Sequence, residues 1–528
     1  MSNISVLPQR RWGRILSNDM ACGRRRGRVA ATYSLCTAAL FVAYLKLLPS
    51  VPQYSIPGAR SLDPVALFMP DPYGPDDVVR TLEGFMAYNP PSLLTFDPAT
   101  GNMETYIAPS ETKVDGRWPA FMLSRALFLH FPNRFTADQP PFQLLFTATD
   151  YPRAACLADE GGCSEKAFAP LLAFGSVPRD PGILPTAVAM PFPPLAECLL
   201  KDCHLLSSMV DDARSDFIWA DLLPQMFWRG SDEDNFHNQF GLGLGHGGDF
   251  GLDLSNAGSE EIGNRLLDLW DVLTPRWRAV ASSMIARVDA ENANRDREEE
   301  GDGPAILPWI EAKFTLGRTP PLSKPKDENF GRFLEMGSPA VTSDHVPHSD
   351  MMQYRYHLDL VGGGSTTWAD TLRKLAMPGL LFHHETLMRD WFYGELQPWV
   401  HYVPIRIDLD DLSDKYVWAE TNPIEAETIA RNGREFVLEM ATDEYKKRLY
   451  KNLFVDQLRP IVGAYRPVAN AILAPSGHEL GLYSTCNAEA CTFNRKDPMP
   501  FTDVDFDYMK DYSWLVEEGD GAPAADFA

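Results

Sequence analysis

Residues 350–406 read DMMQYRYHLDLVGGGSTTWADTLRKLAMPGLLFHHETLMRDWFYGELQPWVHYVPIR, and the order of elements they encode decides the fold. Tyr354, Tyr356, Leu358 and Leu360 alternate with polar neighbours, which predicts a strand. It runs into Gly362-Gly363-Gly364, where no Cβ obstructs close approach to the backbone. Ser365 or Thr366 can cap the helix that follows, and Trp368, Leu372 and Leu375 share one face of it at i, i+4 and i+7. Pro378-Gly379 end that helix before the apolar strand Leu380-Leu381-Phe382. Strand, glycine turn and helix N-terminus together offer unpaired backbone N–H groups and the positive end of a helix dipole, an arrangement that suits an anion. Taken alone, a glycine-rich turn after a strand is more often a plain tight connection.

Further segments stand around this unit. They are Tyr354-Arg355-Tyr356 with Asp350 upstream, Trp391-Phe392-Tyr393, Leu396-Gln397-Pro398-Trp399-Val400-His401-Tyr402-Val403-Pro404, Asn422-Pro423 to Gly433-Arg434-Glu435-Phe436, and Phe227-Trp228-Arg229-Gly230-Ser231. In the fourth of these, Asn422 is the expected N-cap, Pro423 the first helical position and Gly433 the helix stop. Together the segments resemble glycosyltransferase family 90, the family of the protein O-glucosyltransferases and the fungal capsule-associated xylosyltransferases. The resemblance is close from about 345 to 455 and patchy from about 140 to 345. It implies an α/β fold of two Rossmann-like domains in a GT-B-type arrangement, with the donor in the C-terminal domain and the acceptor entering the cleft between domains. It implies no metal or other cofactor, with a UDP-sugar as co-substrate.

Inverting sugar transfer needs a base for the attacking hydroxyl and charge neutralisation for the leaving diphosphate. Asp150 suits the first role: it follows the apolar run from Phe142 to Thr147, at the carboxyl end of a strand where ligands bind in open α/β sheets. In the family, the Asp of the corresponding aspartate-tyrosine-proline segment is the base. The plainer reading is an Asp that caps the turn before Pro152. Arg229 suits the second role, as a guanidinium fork with room left by Gly230 and a hydroxyl added by Ser231; a salt bridge between domains is its alternative. Asp350 and the turn residues Gly363, Gly364, Ser365, Thr366 and Thr367 complete the expected donor site. One departure stands out. Where the family's turn helix carries a phosphate-binding Arg, this chain has Thr371, and Arg373 and Lys374 are expected on other helix faces. His383-His384-Glu385 ends a strand, so successive side chains face opposite ways and cannot share one ion.

The chain has 528 residues, long enough for two or more domains. Residues 1–29 form a basic tail in which seven Arg oppose Asp19, and 30–48 form an apolar run expected to be a signal anchor, with a cleaved signal peptide as the rival. The charge pattern puts the tail in the cytosol and the remainder in the lumen, a single-pass type II protein of the Golgi or endoplasmic reticulum membrane. Subtracting the tail's +6 from the formal −24 leaves −30 on residues 29–528, which excludes unspecific nucleic-acid binding. A stem or irregular lead-in is expected over 49–91, an acceptor-side α/β domain over 92–224, a nucleotide-sugar-binding α/β domain over 225–460, and an extension with an acidic tail over 461–528. Arg295 to Gly303 reads as a solvated loop. Cysteines 156/163, 198/203 and 486/491 fall in three close pairs, which in an oxidising lumen suggest three disulfides, with unpaired buried thiols as the alternative. The expected partners are therefore a UDP-sugar, a protein or polysaccharide acceptor and, through the anchor, a membrane. Glucose or xylose is the expected sugar. A glycan-binding or chaperone-like pseudoenzyme of the same fold, or a glycoside hydrolase, are the rival readings.

Overall fold

The computed structural model describes residues 69–85, 90–107, 117–147, 165, 167–175, 177–179, 184–199, 203–231, 259–300, 304–315, 341–362, 366–367, 369–468, 480–494 and 499–501. The expected basic tail and signal anchor, and residues 517–528 of the acidic tail, lie outside them. Among the described residues, no helix is long and apolar enough to cross a membrane.

The chain is α/β, built on two large sheets. The first begins with a hairpin, β1 (Ser92–Asp97) and β2 (Asn102–Ile107), turned at Gly101 with a φ of +68°. It continues through β3 (Phe142–Thr147) and β4 (Leu171–Phe174), skips the short β5 (Val177–Pro178), and ends at β6 (Ala187–Met190). Strands β3, β4 and β6 are parallel, and β3 and β4 are buried along their whole length. That burial is why Leu171-Leu172-Ala173-Phe174 is continuously apolar instead of alternating. Helices α1 (Pro75–Phe85), α2 (Arg117–His130) and α3 (His204–Arg214) come from the same stretch of chain. Helix α1 lies within the stretch read as lead-in; its Val78, Leu82 and Phe85 are buried in the core.

The second sheet is all parallel and runs β13-β11-β10-β7-β8-β9. Its strands are β7 (Leu223–Gly230), β8 (Ile310–Thr315), β9 (Thr342–Ser343), β10 (Tyr354–Asp359), β11 (Leu380–His384) and β13 (Val403–Ile405). One face buries Met226, Trp228, Phe314, Tyr356, Leu358 and Phe382 in one core that includes Trp277, Val280 and Met284 of α5 (Pro275–Glu300), which follows α4 (Ser259–Asp268) in the β7–β8 crossover. The other face carries α6 (Ala369–Ala376), whose Leu372 and Leu375 meet Leu381 in the core shared with the first sheet. Strand, helix and strand thus follow the order read from residues 354–382, with residues 363–365 between them outside the described residues.

Two expectations are corrected here. Residues Arg295–Glu300 are not a loop but the last turns of α5, because Arg, Asp and Glu are good enough helix formers once the preceding turns are nucleated by packing. Gly433 does not stop a helix either. After α7 (Leu412–Thr421), helix α8 (Pro423–Met440) starts at Pro423 as expected and runs straight through it. A Cβ there would meet Leu375 Cδ2 at 2.8 Å and the His401 carbonyl at 2.9 Å, so the glycine serves the close approach of α8 to α6.

Two further pairings shape the molecule. Residues of the C-terminal extension, β14 (Gly481–Cys486), β15 (Ala490–Phe493) and β16 (Met499–Pro500), add to the first sheet beside β2. The ribbon of β5 with β12 (Met388–Arg389) joins the chain leaving the C-terminal end of β4 to the chain leaving the C-terminal end of β11. Disulfides close Cys198–Cys203 and Cys486–Cys491; the 156/163 pair lies outside the described residues.

Gly379 turns the chain from α6 into β11 with a φ of +108°, and a Cβ there would sit 2.7 Å from the Tyr354 and Arg355 carbonyl oxygens. Gly379→Ala is expected to cost about 2 kcal/mol or more through left-handed strain and that clash. A urea midpoint equal to that of the parent would refute this account of the turn.

Candidate functional site

The C-terminal edge of the second sheet is organised by one carboxylate. Asp359, the last residue of β10, is fully buried. Its Oδ2 accepts hydrogen bonds from Thr367 Oγ1 at 3.0 Å and Thr371 Oγ1 at 2.7 Å, and lies 2.9 Å from His383 Nδ1. Its Oδ1 accepts from Lys374 Nζ at 3.1 Å. A carboxylate accepts only, so Nδ1 is the protonated nitrogen of His383. Burial by itself would raise the Asp359 pKa; the Lys374 ammonium foremost, then His383 and Thr371, hold it well below the usual carboxylate range. For Lys374 burial pulls down, but Asp359 and Asp370 outweigh it and raise its pKa.

Sequence reasoning expected Lys374 on a face of its own. It instead shares Asp359 with Thr371, because residues three apart are neighbours on a helix. Thr371 is completely buried and its hydroxyl also lies 3.5 Å from Tyr393 Oη, so the position that departs from the family pattern faces the interior network. His383 and His384 do face opposite ways: His384 Nε2 lies 2.9 Å from the Ile407 carbonyl.

Beyond this network the edge holds polar atoms in want of a partner. The turn is closed by Gly362 N–H donating to the Thr366 carbonyl at 3.2 Å. Thr366 Oγ1 and His383 Nε2 are buried and have no hydrogen-bond partner among the described residues. Buried polar groups are normally satisfied, so these two atoms suit a bound ligand. Arg276, near the start of α5, donates from Nη1 to the Ser231 carbonyl, from Nη2 to the Leu360 carbonyl at 3.1 Å and from Nε to the Val361 carbonyl at 2.9 Å. It ties the end of β7 to the end of β10 beside the glycine turn.

The structure places the expected residues unevenly. Ser231, Thr366 and Thr367 gather at this edge. Arg229 folds back over the Phe227 ring, 4.4 Å from its centroid, and its fork is engaged by Glu311: Nη2 donates to Oε1 at 2.9 Å and Nη1 to the Glu311 carbonyl at 3.0 Å. Arg287 and Lys313 share that carboxylate. The space beside Gly230 is filled by the Trp228 indole, which a Cβ would meet at 2.5 Å. Asp350 is exposed in the turn His348–Met351, before β10 begins, at the opposite end of that strand from the glycine turn. Asp150, Gly363, Gly364 and Ser365 lie outside the described residues; β3 ends at Thr147, three positions before Asp150. A cavity lined by Phe227, Arg229, His348, His357, Arg373 and Lys374 lies under α6, but at about 30 Å3 it holds a water or two and not a nucleotide. Asp359, Lys374, His383 and Arg276 were missed by the sequence reading. The available signal was Asp359 itself, an acidic residue ending an apolar strand at the edge where ligands bind.

Residues 333–469 match the model of glycosyl transferase family 90, so the resemblance read from the sequence holds over the segment that builds this edge. Similar curated proteins are Protein O-glucosyltransferase 2 of Danio rerio, 39% identical over 92 residues (17% of this chain and 18% of that protein), and Protein O-glucosyltransferase 3 of Rattus norvegicus, 38% identical over 87 residues (16% of each). Protein O-glucosyltransferase 1 of Rattus norvegicus is 30% identical over 104 residues, 20% of this chain and 25% of that protein. The chain thus spans a quarter or less of these relatives' length.

Removing Asp359 leaves the buried Lys374 ammonium with only the half-exposed Asp370, at 3.5 Å, as a counter-charge, so Asp359→Leu is expected to cost about 3–5 kcal/mol. Asp359→Leu combined with Lys374→Met should recover much of that loss, and equal urea midpoints for single and double variants would show that the pair is not the source of the cost. A second expectation concerns acid. His357 and His384 are buried and desolvation lowers both from 6.5 to about 4. Their folded pKa values lie below the unfolded one, so this stability is complete above pH 6.5 and is lost as pH falls from there towards 4. A melting midpoint that is the same at pH 7.5 and pH 5 would contradict it.

Proposed function

We propose that the chain is an inverting glycosyltransferase that moves glucose or xylose from a UDP-sugar to a hydroxyl of a protein or glycan. The observation that carries this reading is the coincidence of the family 90 segment, residues 333–469, with the strand, turn and helix whose edge holds the partnerless Thr366 and His383 atoms. The β5·β12 ribbon supports a GT-B-type arrangement, since it brings together the C-terminal ends of parallel strands from both sheets, the ends at which open α/β sheets bind ligands.

In this reading the diphosphate lies against the turn from Gly363 to Thr367, with backbone N–H groups and the Thr366 hydroxyl donating to it. Asp150, beyond the C-terminal end of β3, takes the proton of the acceptor hydroxyl. The freed oxygen attacks the anomeric carbon from the face opposite the UDP, that C–O bond breaks, and the electron pair leaves with the diphosphate. The family resemblance supports turnover without metal. Placement in the lumen of the Golgi or endoplasmic reticulum, behind a membrane anchor at 30–48, rests on the charge pattern of the N-terminal residues.

One pair of observations favours the alternative, a catalytically impaired binding protein of the same fold. Of the two side-chain cations the family pattern would aim at a diphosphate, one is replaced by Thr371 and the other, Arg229, is engaged by Glu311.

UDP release by the purified luminal part, assayed across a panel of UDP-sugars with and without chelator, separates the two. The transferase reading expects turnover with UDP-glucose or UDP-xylose that chelator leaves unchanged, and a loss of ~10²–10⁴ in Asp150→Asn, typical of a missing general base. UDP binding without turnover on any donor would leave the impaired protein.

A further inference from the structure

The β5·β12 ribbon holds two arginines on one face. Val177 pairs with Arg389, and the Arg179 N–H donates to the Leu387 carbonyl at 2.7 Å, so Arg179 and Arg389 are diagonal neighbours across an antiparallel pair. Arg179 Nε donates to the Met388 carbonyl at 3.2 Å, which fixes the guanidinium through one N–H and leaves its Nη groups to other partners. Among the described residues, no carboxylate lies within ion-pair distance of either arginine. Arg389 is half-buried, and burial first, then the neighbouring Arg179, pushes its pKa down. Two like charges held together with no counter-ion among the described residues weaken the fold at that point. Arrangements of this kind collect at functional sites, where an anion relieves them.

Their position says which anion. The Arg179 guanidinium lies 6.0 Å from the Tyr393 ring centroid, and the hydroxyl of that same ring is 3.5 Å from Thr371 Oγ1. One tyrosine therefore stands between Arg179 and the helix position at which the family pattern supplies its phosphate-binding Arg. The ribbon also leaves the C-terminal end of β11, next in the sheet to β10 and the glycine turn.

We infer that Arg179 and Arg389 bind the diphosphate of the donor, supplying from the ribbon the guanidinium that position 371 lacks. The inference rests on the donor reading above and extends it: the charge that neutralises the leaving group comes partly from the first sheet. Nucleotide binding then depends on the ribbon's being paired, because Arg179 leaves the site if β5 parts from β12.

Calorimetric titration of the full chain with UDP and, separately, uridine tests this. Arg179 is exposed, so Arg179→Gln should keep the fold, and its melting midpoint checks that. UDP affinity is expected to fall about tenfold or more in Arg179→Gln and in Arg389→Gln, the loss typical of a partly desolvated charge contact, with uridine affinity within about twofold of the parent. Arg179→Lys should retain most of the UDP affinity. If the parent binds UDP and both Gln variants bind it as well as the parent, this inference fails and the donor reading stands. An equal loss of UDP and uridine affinity would assign the arginines to the shape of the edge and also overturn the inference. A parent that binds neither ligand removes the donor reading itself.

Discussion

A buried carboxylate can persist only if nearly every lone pair is met, and Asp359 meets that condition by drawing on three consecutive elements. Thr367 comes from the turn, Thr371 and Lys374 from α6, and His383 from β11. Each contact fixes a relation the hydrophobic core leaves loose. Leu372 and Leu375 seat α6 on the sheet, but apolar packing tolerates small slides along the helix axis; a directional bond to one carboxylate does not. The spacing of the glycine turn relative to its helix, and hence any anion site there, therefore depends on Asp359. The His383 tautomer depends on it too, and with it the state of the Nε2 atom that faces the edge.

The same demand explains why Thr371 is tolerated. A guanidinium at that position would enter a network that already contains the Lys374 ammonium, and Asp359 cannot neutralise two cations. With Lys374 three residues further on, a short neutral donor is the residue type that completes the carboxylate without adding charge. Thr371 and Lys374 thus serve one carboxylate, the first as a neutral donor and the second as its cation. Position 371 then offers no charge to the anion site, since its side chain faces the interior.

Much of the second sheet was legible in the sequence because its signals are local. Alternation in 354–360, the glycine run, the spacing of Leu372 and Leu375 and the Pro378-Gly379 stop each need only a short window, and all agree. What failed did so where the reason for a residue is tertiary. Gly433 looks like a helix stop until Leu375 and the His401 carbonyl are seen against it. The charged run 295–300 looks like a loop until α5 is seen to extend through it. Arg229 looks like a free fork because Glu311, its partner, is 82 residues away on the neighbouring strand. The β5·β12 ribbon was invisible for the same reason: two residues on each side have no measurable period, and their pairing joins positions more than 200 apart.

That ribbon also changes how the two sheets relate as parts of one machine. If the nucleotide were held only by the C-terminal half, donor affinity would be indifferent to the first sheet, and the halves would be coupled only through the acceptor. An arginine reaching the diphosphate from β5 makes the donor a bridge between the sheets. Binding then favours the paired ribbon, and the paired ribbon favours binding, by the reciprocity any linked pair of equilibria obeys. Since β4 and β3 are adjacent and parallel, the chain that carries Arg179 and the chain that leads to Asp150 leave the same edge of the first sheet.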